Sequence, residues 1–444
     1  MTWQSLLNVA RLGRSKSTAE ELVSRSEFQR DFDRIVFSSA FRRMHGKTQV
    51  FPLPESDVTR TRLTHSLEVA SVARSLGTLA GANLAAADHH VDGLGELAAA
   101  AALAHDLGNP PFGHSGEDAI SGFFRSRNGE RFLSGLSSEQ KADFTSFEGN
   151  ALGFRLLSRT RPLQSARPGG MRLTYATLAA FAKYPKPSLP VGRDKHASEK
   201  KFGFFQSEAG IFAEVAEQTG LIRKEEVQGW CRHPVAFLVE AADDICYRII
   251  DFEDGYRLNL IPFDMIQKLL EEVISACGES INRDYVGQVK ERQEQVGYLR
   301  ARAINALIHA VAREFDANVD PIMAGRYDRS LLDGTGATGP LAEIKRATQE
   351  EIYTHRPVLQ IEAAGFQVLG GLLTDFLSAA FESPRSKRSI KVLDLIPDIY
   401  KEDTLPRCSQ YDVTMALVEY VASMTDTYAI DTYRTLRGIE LPSY

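Results

Sequence analysis

The chain has 444 residues, 43% of them apolar and 25% charged, and carries a net charge of −6. Those proportions exclude a globally disordered chain, and the mild acidity gives no overall attraction to nucleic acid or anionic membrane. Four cysteines without CxxC spacing exclude a disulfide framework and a thiolate zinc site, which leaves Cys231, Cys246, Cys277 and Cys408 as small core residues.

Residues 1–26 read as an N-terminal arm. The opening stretch MTWQSLLNVARLGRSKS has no continuous hydrophobic segment and no small-residue cleavage site, so a cytoplasmic protein is expected. Phe28, Phe32, Ile35 and Val36 then recur at helical spacing through residues 27–44. Arg25, Arg30, Arg34, Arg42, Arg43 and Lys47 form either a local basic patch or a solvated face paired with Glu27, Asp31 and Asp33. Gly46-Lys47-Thr48 looks like the end of a phosphate loop, but the upstream glycine that such a loop needs is Phe41. Lys47 to Phe51, before Pro52-Leu53-Pro54, is the best candidate for a short strand.

Leu63, Leu67, Ala70, Ala73 and Leu76 mark a second amphipathic helix over about 62–80. An alanine-rich helix from Leu94 to Leu107 stops at Gly108, with Pro110 and Pro111 beyond it. Its longest apolar run, Leu97 to Ala104, falls well short of the about 18 residues that span a bilayer, so no membrane-spanning helix is expected. Ser115 is placed to cap a further helix, with Asp118 at its third position. Tyr184 to Lys201 is a long Pro-, Gly- and Lys-rich connection, and a helix of about twenty residues runs from Pro234 to Asp254-Gly255. Helical patterns continue from 257 without a linker. The expected fold is all-α with minor β: a helical body over 27–260 and a helical C-terminal subdomain over 261–444.

His105-Asp106 ends the alanine-rich helix, and a His-Asp pair alone carries little, since composition gives roughly half an occurrence by chance. Its company carries more. His65, His105, Asp106 and Asp243 offer two imidazoles and two carboxylates from separate helices. That mixed set suits an octahedral divalent ion such as Mn²⁺, Fe²⁺, Co²⁺ or Ni²⁺ better than structural zinc. His114 and Glu117, three apart at a helix start, can form a pair in which the carboxylate orients the imidazole. Arg62 lies three residues before His65 and points either to a phosphate oxygen in the same pocket or into a surface salt bridge. Asp243, Tyr247 and Asp251 share one helical stripe, whereas Asp244 and Arg248 read as an exposed i,i+4 pair. Lys195, Lys200 and Lys201 either neutralise a polyphosphate tail or are solvated.

The pattern His65, His105-Asp106, Asp243 resembles the HD-domain metal phosphohydrolases, and HDLGNPPFGHSGE (105–117) is similar to the signature of their deoxyguanosine triphosphate triphosphohydrolase branch. FQRDFDRIVFSSAFRRMHGKTQVFP (28–52), TRTRLTHSLEV (59–69) and VEAADDICYRIIDFEDG (239–255) agree with it. Leu152 departs from the branch, which often has glutamine there. The resemblance implies that His65, His105, Asp106 and Asp243 hold one divalent metal (Mn²⁺, Mg²⁺, Co²⁺, Ni²⁺ or Fe²⁺), with further Mg²⁺ on the triphosphate. It implies that His114, backed by Glu117, is the acid or base, and that Gln49, Tyr247 and Asp251 approach the sugar.

The expected activity is hydrolysis of a deoxynucleoside triphosphate to deoxynucleoside and inorganic triphosphate. The expected assembly is a hexamer or tetramer with a dNTP activator, weak single-stranded DNA binding and no membrane contact. The competing readings are an HD-type nucleotidase, a cyclic-nucleotide phosphodiesterase, and a nucleotide sensor or single-stranded nucleic-acid binder.

Overall fold

Small residues set the spacing at the centre of the molecule. The computed structural model describes residues 1–13, 25–49, 60–87, 89, 91–159, 169–192, 196–401 and 408–440. Its Leu94–Ala104 helix is buried along its length apart from Glu96 and packs against the Arg62–Ala86 helix. At Gly77 a Cβ would stand 2.6 Å from the carbonyl oxygen of Leu94, so the two backbones meet where only hydrogen fits. The Pro234–Arg257 helix crosses both, opening with proline at a favoured first-turn position and with His233 as its N-cap. These three helices carry the paired histidines and carboxylates.

Helix ends differ from the sequence expectation where local capping decides. The helix over 27–44 is two, Glu27–Val36 and Ser39–Arg43, because the Ser38 side chain accepts from the Phe41 amide and starts a new one. The alanine-rich helix stops at Ala104, so His105 and Asp106 leave its end. The next helix begins at Gly113, after Phe112 in the left-handed region (φ 64°), so Ser115 lies inside its first turn and is not its cap. Thr48 pairs with Thr61 in an isolated antiparallel bridge, while Val50 to Pro54 lie outside the described residues. The two-stranded sheet among the described residues, Arg223–Lys224 with Gly229–Trp230, was not expected. Arg25 pairs with Asp33 at 2.7 Å and Arg30 with Glu27 at 2.8 Å, the paired alternative for that part of the basic segment.

Two apolar clusters form the interior. The first joins the three central helices to Phe263–Ala276 and Arg292–Ala317; the second joins Gly113–Arg125 to Arg356–Phe381 and Gln410–Ala422. Helices beyond residue 260 therefore feed both. The Arg356–Phe381 helix is long and apolar enough, by length and composition, to cross a membrane. Its apolar runs are nonetheless short, because Gln367 and Thr374 interrupt them. Its apolar residues Val368, Leu369, Leu372, Leu373, Phe376 and Leu377 are buried inside the second cluster, as in the core helix of a globular body.

Arg155, 2% exposed, binds Glu419 at 2.9 Å and also Glu208, joining the Gly149–Ser158 helix to Gln410–Ala422. Breaking a buried charge set leaves a charge without its partner, which costs about 3–5 kcal/mol. Glu419→Ala, in which Arg155 keeps Glu208, should therefore lower the unfolding free energy by up to that amount and the denaturation midpoint with it, whereas Glu419→Gln, which keeps the acceptor, should lower both less. Equal midpoints for both variants and the wild type would remove the triad from the fold's stability.

Candidate active site

The Arg62–Ala86 helix starts in a capping box, in which Thr61 and Thr64 exchange side-chain and backbone hydrogen bonds. This fixes Arg62 and His65 in its first turn. His105 Nδ1 donates to the Ala102 carbonyl at 2.7 Å, which turns Nε2 inward. There the ligand atoms of His65, His105 and Asp106 all lie within 4.8 Å of one another. From the third helix Asp243 Oδ1 stands 3.2 Å from His65 Nε2 and 3.5 Å from His105 Nε2.

His105 Nε2 is buried and makes no hydrogen bond of good geometry. An orphaned imidazole nitrogen facing two carboxylates is the donor set of a divalent cation, so the residues present fit one. Without a cation, burial disfavours the charged ring, but Asp106 and Asp243 outweigh it and raise His105 to about 9. Burial likewise opposes the charge of Asp106, yet Arg62 and the histidines hold it down to about 2; Asp243 is held well below the usual carboxylate range, chiefly by His105. A metal competes with the His105 proton for one lone pair.

Arg62 is neither on the surface nor free. Its Nη1 donates to Asp106 Oδ2 at 2.7 Å, and Asn109 donates to Oδ1 of the same carboxylate at 2.5 Å. Partners that orient a metal-binding carboxylate typically contribute 10–100-fold in metal affinity or activity. A phosphate partner alone would leave the metal affinity of Arg62→Ala unchanged. The geometry instead predicts metal affinity about 10–100-fold weaker in Arg62→Ala by titration calorimetry, and wild-type affinity would return Arg62 to phosphate alone.

His114 and Glu117 meet as expected, with Nδ1 and Oε2 2.9 Å apart. The His114 side chain is 80% exposed while that of Glu117 is 8% exposed. Glu117 is itself held by the Gly149 amide at 2.7 Å and by Lys201 at 3.3 Å. The Glu117 bond raises the His114 imidazole above its ordinary value. Burial pushes Glu117 up, but His114 and Lys201 outweigh it and lower it.

Gln49, Arg62, His105, Asp106, His114, Asp243 and Tyr247 all line one cavity of about 250 Å³. His65 is buried. Asp251 does not reach the cavity lining: it is buried, accepts from the Tyr353 hydroxyl at 3.1 Å, and is pushed up to about 7 by burial. The Tyr353 ring stacks on Tyr247 at 6.1 Å. Asp244 and Arg248 are half-buried, contrary to the exposed-pair expectation, and Asp244 accepts from Ser330 at 3.3 Å. Lys201 lines the cavity, Lys200 is exposed, and Lys195 lies outside the described residues.

Sequence reasoning missed Asn109, Asn150, Lys183 and Tyr184, which line the same cavity. Asn109 had a signal, its three-residue spacing from Asp106; Lys183 had none, being two residues past the Tyr175–Phe181 helix. A second cavity of about 260 Å³ shares Gln49, Arg62, His114 and Tyr247 and adds Tyr353, Val358, Ile361 and Glu362 from the C-terminal third. Gln49 Oε1 is buried and has no hydrogen-bond partner.

Comparison with known proteins agrees with this arrangement. The HD domain family model matches residues 62–144, and that of the phosphohydrolase-associated domain matches 337–435. The deoxyguanosinetriphosphate triphosphohydrolase-like protein of Synechocystis sp. is 43% identical, covering 99% of this chain and 100% of the relative. A protein of the same description from Pseudomonas aeruginosa is 37% identical over the whole of both chains. The deoxyguanosinetriphosphate triphosphohydrolase of Yersinia pseudotuberculosis is 29% identical over 96% of each. With paired histidines and carboxylates at the crossing of three helices, and relatives alike from end to end, the chain belongs to the deoxyguanosinetriphosphate triphosphohydrolase-like family of HD-domain phosphohydrolases.

Proposed function

We propose that the protein hydrolyses deoxynucleoside triphosphates to deoxynucleoside and inorganic triphosphate. The observation that carries this reading is the sharing of one cavity by His105, Asp106 and Asp243, by His114, and by the cations Arg62, Lys183 and Lys201. His65, His105, Asp106 and Asp243 would hold one divalent cation, which when bound supplies Lewis acidity toward phosphate oxygen and water. Arg62, Lys183 and Lys201 offset the charge of a polyphosphate. With Nδ1 engaged by Glu117, His114 is left to exchange a proton at Nε2, on its exposed side. The Gln49 carbonyl, unpartnered, and the Tyr247 ring, in the same cavity lining, would receive the sugar.

Family membership supports a nucleotide substrate, and the choice among Mn²⁺, Mg²⁺, Co²⁺, Ni²⁺ and Fe²⁺ is part of the proposal. So are a homo-oligomer, a dNTP activator and a cytoplasmic location, the last supported by four cysteines that are all free thiols. Turnover of each dNTP, singly and in pairs with each metal, followed by product chromatography, tests the reading. Deoxynucleoside with inorganic triphosphate supports it. Orthophosphate would instead indicate a nucleotidase, and salt-dependent DNA binding without turnover a binding protein.

A further inference from the structure

His114 follows a backbone turn that an α-helix does not make by itself. Phe112 (φ 64°) and Gly113 (φ 61°) are both left-handed, and the helix carrying His114 and Glu117 begins there. For phenylalanine this conformation is strained and persists only where the surroundings fix it.

Inside residues 62–144 the Gly113 amide donates to the Pro110 carbonyl at 3.3 Å, and further contacts on the turn come from outside that span. The Phe112 amide donates to Asp426 Oδ1 at 3.1 Å. Oδ2 of the same carboxylate accepts from the Thr48 amide at 2.9 Å and the Thr48 hydroxyl at 2.8 Å. The Phe112 ring lies against Gly365, where a Cβ would approach its Cδ2 to 2.9 Å. Lys47 Nζ spans the carbonyls of Asn109, at 2.5 Å, and Ala422, at 2.9 Å.

Asp426 is 1% exposed, and its side-chain hydrogen bonds go to Thr48 and Phe112, on the two segments that carry Gln49 and His114. Both residues line the second cavity. We propose that Asp426 is a positioning residue: one buried carboxylate from the phosphohydrolase-associated region fixes the Phe112 turn and the Thr48 segment, and so sets His114 and Gln49 relative to each other.

The carboxylate offers two acceptor atoms to three donors, with a charge that strengthens each bond. Asparagine keeps the shape but presents an NH₂ group to donors on one side. The proposal rests on the assignment of His114 to proton transfer, so its test includes a readout that does not depend on turnover.

The experiment compares full-length wild type, Asp426→Ala and Asp426→Asn. Amide hydrogen exchange is followed at Phe112, and kcat, KM, metal content and the pH profile of kcat are measured. Exchange at Phe112 should accelerate about 10-fold or more in Asp426→Ala. Its kcat should fall about 10-fold or more with metal content unchanged, as expected when a proton-transfer group is displaced. The limb of the profile that reports His114 should move down toward the ordinary histidine value as the Glu117 bond loosens. Asp426→Asn should lie between, and it carries the test alone should the alanine variant not fold.

Wild-type exchange at Phe112, or faster exchange with kcat and the pH limb unmoved, would overturn the proposal. A wild-type protein inactive on every dNTP would defeat the functional reading instead, while the exchange measurement would still report on the turn.

Discussion

Asp106→Ala and Asp243→Ala should each yield a folded chain that holds no stoichiometric metal and turns over no nucleotide. The two carboxylates have different surroundings, so the two losses have different causes. Asp106 is gripped by Arg62 and Asn109, and its removal leaves a buried guanidinium without its anion beside two imidazoles. Positive charge then accumulates where a cation would sit, and at ε near 20 two unit charges about 4 Å apart repel by roughly 4 kcal/mol. Asp243 faces both His65 and His105, so its loss removes the anion they share. Elemental analysis and turnover on the same preparations check both. Stoichiometric metal in Asp106→Ala with a wild-type rate would remove the site from this triangle of helices.

His114→Ala should behave in the opposite way, keeping the metal and the nucleotide while kcat falls by about 10²-fold or more, the usual scale of general acid–base catalysis. The structure separates His114 from the metal cluster by partner: its Nδ1 is occupied by Glu117. Glu117→Ala should be milder, because the exposed ring remains and loses only the carboxylate that orients it. The double variant should cost little more than His114→Ala, since a support has no effect once the supported group is gone. Burial of Glu117 adds a control: Glu117→Gln keeps an acceptor for the Gly149 amide but no charge for Lys201. A double-mutant cycle on kcat, with metal content measured for every variant, decides. Additive losses, or metal lost from His114→Ala, would place His114 in the metal shell or in the fold.

The gathering of His65, His105, Asp106 and Asp243 was legible because these residues sit in motifs short enough to read: His65 near a helix start, His105-Asp106 at the end of an apolar run, and Asp243 on an amphipathic helix. The all-helical architecture was legible for the same reason, the 3.6-residue period. What stayed hidden arose from contacts between distant segments. Arg62 was read toward phosphate or a surface salt bridge because spacing gives a face of a helix but not the partner waiting there, which is the Asp106 carboxylate. The Tyr353 hydroxyl that donates to Asp251 comes from about a hundred residues onward, a partner that the helical stripe of Asp243, Tyr247 and Asp251 does not announce. Lys183 lies in a stretch without periodicity, and the left-handed Phe112 has no local signature, since its φ is imposed from the other end of the chain. Ser115 misled because a good capping residue carries no information about a competing turn two residues earlier.

The meeting of backbones at Gly77 has a mechanical consequence. His65 lies twelve residues before Gly77 on the same helix, a distance of about 18 Å at 1.5 Å per residue. The crossing acts as a fulcrum with the imidazole at the end of the lever. Long side chains at such a crossing would let the helix rock as they change rotamer; glycine against a carbonyl leaves nothing to rearrange. The separation between His65 and the residues on the neighbouring helix is therefore gauged by the thickness of the backbone, and a single methyl group inserted at the fulcrum would be magnified at the far end.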